Sequence, residues 1–154
     1  MCRRTSVVGA ILAVALALLN FRASSAEDPI GSLLPKDLVG TYTMASSENS
    51  GRPVPKERID GVLVRFTETS IIATDTDKKE VYAASYQLTS AENPAKITMT
   101  STLEASKGVE ASGLIERNGD TVRLIYRLPD GKEDPTEFKT RQGQIMVVLK
   151  RVAE

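Results

Sequence analysis

Histidine and tryptophan are missing from this chain of 154 residues, and its single cysteine is Cys2, at the very start. Without histidine, and with no thiol after Cys2, the usual ligands for zinc, copper and haem are lacking, so no cofactor and no transition metal is expected. A hydrolase built on a nucleophile and a base loses its commonest base, and neither a Ser-x-x-Lys nor a Gly-x-Ser-x-Gly sequence occurs. Two acids alone would serve a glycosidase, but nothing marks any two of the 20 acidic residues as a pair. The chain therefore reads as noncatalytic. An excess of positive charge is lacking as well, since 20 basic residues meet 20 acidic ones, which argues against nucleic acid as a partner. Only one long apolar run exists, at the N-terminus, so no membrane span is expected beyond it.

That run is the core of a secretory signal peptide over residues 1 to 26. Arg3 and Arg4 lie in a short basic region, Val7 to Phe21 are mainly apolar, and Ala23-Ser24-Ser25-Ala26 presents small residues where a signal peptidase cuts. The apolar stretch is about 15 residues, against the roughly 20 needed to cross a bilayer, so cleavage after Ala26 is expected in place of anchoring. Cys2 precedes the apolar run and is not placed as a lipid acceptor. The product would be periplasmic or secreted. Losing Arg3, Arg4 and Arg22 leaves 17 of the 20 basic residues against 20 acidic ones, a net charge of about −3 on about 128 residues. That length suits one domain held together by packing, with no disulfide available.

Residues 27 to 37 contain Pro29, Gly31 and Pro35 and are expected to form an extended lead-in. From residue 38 to 154, short runs of β-branched and aromatic residues recur too closely to admit helices between them. Eight strands are predicted, at 38–45, 61–67, 70–75, 80–89, 96–103, 109–117, 120–128 and 144–151. Several alternate with the period of two that a half-buried strand requires. Val122, Leu124, Tyr126 and Leu128 share one face, and only Ile125 breaks the pattern; Tyr82, Ala84, Tyr86 and Leu88 share another. Asn118-Gly119 is the strongest hairpin signal, read as the two central residues of a type I′ turn. In a meander the short connections, Glu68-Thr69, Ser90 to Ala95 and Asn118-Gly119, fall at one end. The long ones, Ser46 to Asp60 with a helical turn at Pro55 to Ile59, and Pro129 to Gly143, fall at the other. The prediction is an all-β, eight-stranded, antiparallel up-and-down barrel, shut at one end and ringed by long loops at the other.

Leu38-Val39-Gly40-Thr41-Tyr42, Tyr82 to Leu88 with Pro94 and Ile97, Gly113-Leu114 leading to Asn118-Gly119-Asp120-Thr121-Val122, Pro135-Thr136-Glu137-Phe138, and Val148-Leu149-Lys150-Arg151 carry a resemblance. Over Leu38 to Arg151 the chain resembles the small lipocalin-like domain of planctomycete bacteria. The resemblance implies a barrel in a bacterial envelope setting, with no activity and no catalytic residues to carry over. Gly40-Thr41-Tyr42 stands where lipocalin-like domains place Gly-x-Trp, so the indole that caps the barrel floor is lost. Ala84 replaces a common glycine, Ile115 a common tyrosine, and Asp134 an arginine that often precedes the proline.

Asp75-Thr76-Asp77 with Glu80 offers three carboxylates of a kind that calcium takes. The loop also holds Lys78 and Lys79 and lacks an EF-hand's glycine and final glutamate, so it reads as a solvated acidic turn; Asp130-Gly131 with Glu133 and Asp134 reads likewise. The candidate site is instead the barrel interior, with Tyr42, Phe66, Tyr82, Ala84, Tyr86, Met99 and Tyr126 as its ligand-binding residues. A small, partly apolar ligand is the expected partner, oriented by tyrosine hydroxyls. The competing expectation is a filled barrel that shows its long loops to an envelope protein. Eight-stranded barrels can be filled by side chains alone, so the size of the lumen separates the two.

Overall fold

A period of two in side-chain character forces each run to lie as a strand with one wet and one dry face, and the runs do so. The structure, a computed structural model, describes residues 31 to 153; the expected leader over 1 to 26 and the start of the lead-in lie outside the described residues. The strands are β1 (Gly40–Asn49), β2 (Arg52–Pro53), β3 (Leu63–Phe66), β4 (Ser70–Thr74), β5 (Glu80–Leu88), β6 (Ala95–Ser101), β7 (Glu110–Asn118), β8 (Thr121–Arg127) and β9 (Gln144–Arg151). Each neighbouring pair from β3 to β9 is antiparallel, β1 pairs with β3 on one side, and β1 pairs with β9 on the other. β1 and β3 to β9 thus close an eight-stranded up-and-down barrel of lipocalin-like kind. Closure gives each of these eight strands a neighbour on both sides, while the short β2 hangs from the end of β1.

The segment expected to loop from Ser46 to Asp60 is more ordered than its sequence suggests. β1 runs on to Asn49, turns at Ser50 and Gly51, both at positive φ, and returns as the short β2 beside its own end. The helical turn follows as α2 (Lys56–Ile59), with Ile59 buried beneath it. Within β1 the register against β9 slips between Met44 and Ser46, leaving Ala45 as the extra residue of a bulge. A bulge inverts the alternation beyond it. Tyr42 and Met44 face inward before Ala45; afterwards Ser47 is the buried residue and Ser46 the exposed one.

The lead-in departs from the extended path expected of it. Pro35–Leu38 forms one turn of helix, α1. Pro35 supplies a fixed φ at the first helical position, where its missing N–H costs nothing. The Asp37 carboxylate then accepts from the Leu34 N–H at 2.9 Å. This turn buries Leu38, and the preceding chain buries Leu33, whose N–H donates to Ala91 O at 3.1 Å. Both leucines sit at the end of the barrel that carries the short turns.

Two further expectations are corrected. The β7–β8 turn does not centre on Asn118-Gly119, because Asn118 still pairs with Thr121 and the two loop residues are Gly119 and Asp120. Only Gly119 there has positive φ, 59°, the pattern of a turn with glycine first. The long β8–β9 connection does not ring the mouth, for it folds down the outside of the sheet. Ile125, the residue that broke the alternation, points outward and is fully buried, opposite Leu114 on β7 and Met146 on β9. An apolar row on an outer face needs a cover, and the connection provides one. Pro135 is buried and borders a groove with Leu114, while the Arg123 guanidinium lies 4.6 Å from the centre of the Phe138 ring. Thr140 anchors the connection to the β1–β2 hairpin by donating to the Glu48 carboxylate and accepting from Gly51 N–H.

Candidate functional site

The inward rows of the barrel divide into a packed floor and a hollow mouth. At the floor, Tyr42 has no exposed surface; its hydroxyl donates to Leu38 O at 2.8 Å and accepts from Arg151 Nη2 at 2.8 Å. Arg151 also donates to Val39 O and Asp37 O, at 2.9 and 3.2 Å, and its guanidinium lies 5.1 Å from the Tyr42 ring centre. The tyrosine ring, the last-strand arginine and α1 therefore close the end that an indole would otherwise cap. Tyr42, Phe66 and Tyr86 follow one another edge to face, with centroids 5.5 and 6.0 Å apart, a favoured aromatic arrangement. Ile97, Met99, Ile115, Val122 and Ala84 complete the packing in the same buried cluster.

Above this layer the side chains no longer fill the lumen. A cavity of about 400 Å³ opens at the end away from the short turns. Its walls are Met44, Val64, Ile71, Ala73, Leu124, Val147 and Leu149 below, and Val62, Val81 and Ile145 nearer the rim. Val54, Arg58 and Ile59, brought over by α2, form part of the mouth. Polar atoms are few. Ser47 and Asn49 face the space because of the Ala45 bulge, and Tyr82 and Tyr126 contribute phenols with ring centroids 6.2 Å apart. Tyr82 donates weakly to Met99 Sδ at 3.4 Å. Burial pushes the Tyr126 phenol up to about 12, and it pushes Tyr82 well above a free phenol, with Tyr126 adding to the effect. Both hydroxyls are therefore neutral donors at any physiological pH.

Of the seven residues expected to line a ligand site, the structure brings Tyr82 and Tyr126 together on the cavity wall. Tyr42, Phe66, Ala84, Tyr86 and Met99 face inward too, but they lie in the packed layer beneath. The reason is height along the barrel: alternation sorts in from out, whereas register sets how far down each inward residue falls. Met44, Val62, Val64 and Leu124 belong to the inward rows legible in the sequence and do reach the wall. Ser47 and Asn49 were hidden by the bulge, and Arg58 and Ile59 by their place in a connection. Ile145, Val147 and Leu149 carry a visible alternation in the last strand that would have found them.

Neither acidic loop is arranged for a metal ion. Asp75 spends one carboxylate oxygen on the N–H groups of Asp77 and Lys79, at 2.9 and 3.0 Å, and so closes its own turn. Asp134 accepts from Arg127 Nε at 2.7 Å, and Glu133 and Glu137 both lie 3.7 Å from Arg141. Among the described residues no three or more acidic, histidine or cysteine side chains converge on a point. A larger space of about 680 Å³ lies on the outer face of β5 and β6, but threonine, serine, glutamine and glutamate dominate its walls. No helix of the described residues is long and apolar enough to cross a membrane. No family model, characterised protein or solved structure matches the chain.

Proposed function

We propose that this chain is an exported, noncatalytic lipocalin-like barrel, akin to the planctomycete small domains it resembles, that binds a small and mainly apolar molecule in the cavity at its mouth. One observation carries the reading: the lumen is solid from Tyr42 up to Met99 and then empty over about 400 Å³. That volume falls within the roughly 300 to 1,000 Å³ of typical small-molecule sites. A barrel meant only to display loops has no need of the space, since a few larger side chains would fill it and add stability. Tyr82 and Tyr126 are the proposed orienting groups, with Met44, Ile71 and Val147 as apolar wall.

Native mass spectrometry of the protein purified from its host tests the proposal, alongside titration with the neutral fluorophore N-phenyl-1-naphthylamine. A co-purifying mass, or saturable probe binding that Ala73→Trp abolishes, is the expected result, because Ala73 stands on the cavity wall. A protein that carries no added mass and takes up no probe would overturn it, leaving the rival role as an interaction module for an envelope protein.

A further inference from the structure

We infer that the ligand is an amphipathic carboxylate, its apolar body in the cavity and its anionic head held at the mouth by Arg58. The inference rests on the cavity being a binding site. Arg58 is the one charged residue on the cavity wall, and no carboxylate shares that wall with it. Among the described residues it makes no ion pair and no side-chain hydrogen bond, whereas Arg123 and Arg127 each hold a carboxylate and Arg151 holds backbone carbonyls. The backbone that carries it is anchored, since α2 is pinned by the buried Ile59 and by the Asp60 N–H donating to Lys56 O at 2.9 Å, while the Arg58 side chain itself is exposed at the mouth.

The rest of the cavity sets the body of the ligand. At roughly 30 Å³ for each water in the liquid, 400 Å³ equals about a dozen waters, which points to a ligand of about a dozen to fifteen heavy atoms. A cationic head would meet Arg58 with like charge, whereas an anionic one would meet it with opposite charge. Asn49 lies on the same wall and adds a polar side chain there, its carbonyl oxygen accepting from the Ser50 hydroxyl at 2.9 Å. A saturated acid of ten to twelve carbons satisfies both the charge and the size.

Decanoate and the neutral 1-decanol, each used to displace N-phenyl-1-naphthylamine from the full chain, separate head from body. Wild type is expected to bind both, and Arg58→Gln is expected to weaken decanoate about fivefold while leaving 1-decanol unchanged, the scale of one solvent-facing ion pair. Raising the salt should weaken decanoate alone, and Arg58→Lys should recover part of its affinity. Equal losses for the two ligands, or no loss of decanoate in Arg58→Gln, would overturn the assignment of the head group. Failure of wild type to bind the probe, the acid and the alcohol would overturn the cavity as a binding site, and this inference with it.

Discussion

The floor and the mouth of this barrel are lined by the same strands, yet one is packed solid and the other is hollow. At the floor, aromatic residues from β1, β3 and β5 point to one level and meet edge to face, while α1 and Arg151 close the end from outside. At the mouth, the same strands supply Met44, Val64 and Tyr82, and the neighbouring β4 supplies Ala73, too small to reach across. The difference teaches that an inward-facing residue is not yet a lining residue. What decides is the level at which large side chains coincide, and the barrel concentrates them at the level nearest the N-terminal plug.

Substitution at matched inward positions tests this division most sharply. Tyr42→Ala should cost about 3 to 5 kcal/mol in urea unfolding, as for other large aromatic truncations in packed interiors, and it also leaves Arg151 Nη2 without the phenol. Tyr126→Ala, on the wall of the cavity where truncation enlarges an existing space, should cost less; equal losses would erase the distinction. Next in size, Ala84→Trp should overpack the filled layer by about 1 to 3 kcal/mol. Ala73→Trp should leave the unfolding midpoint nearly unchanged and block probe uptake, and a large loss of stability in Ala73→Trp would mean the mouth is not hollow.

Alkaline titration offers a subtler comparison. Burial raises the phenols of all four tyrosines, and Arg151 opposes the effect at Tyr42 whereas no cation does so at Tyr126, which reaches about 12. Between the free value of 10.0 and about 12 the folded protein therefore holds protons that the unfolded chain releases. The stability from the neutral phenols is complete below pH 10 and falls as pH rises through that interval. Ultraviolet titration should show the native tyrosines ionising above the free phenol; native midpoints equal to those in urea would refute the burial. The smallest effect belongs to the β7–β8 turn at the floor end, where Gly119→Val should cost about 1 kcal/mol. Space around Gly119 is open, so the cost there is in φ alone.

Much of this architecture was legible in the chain. Recurring runs of β-branched and aromatic residues located all eight barrel strands, alternation fixed the faces of several of them, and the Pro55 to Ile59 pattern located α2. The site was legible only in outline. Ser47 and Asn49 reach the cavity through one extra residue at Ala45, a shift that hydrophobic patterning does not register. Tyr42 and Tyr82 are equivalent in the alternation, and only the stagger of β1 against β5 around the barrel sends one to the floor and the other to the mouth. Ile125 breaks the alternation of its strand because the outer face there is covered, with Pro135 and Phe138 beside it.

The seam between β1 and β9 has a consequence for how the molecule is made. It joins the first strand to the last, as in the bond from Thr43 to Lys150 O across 107 residues, and Arg151 locks Tyr42 from the final position of β9. A growing chain cannot shut the barrel until β9 exists, and until then β1 and β8 each carry a bare edge that another chain could extend. Such distant pairing is also slow to form. A chain cut short before Gln144 would never escape that state, so the presence of β9 governs whether this polypeptide matures or aggregates.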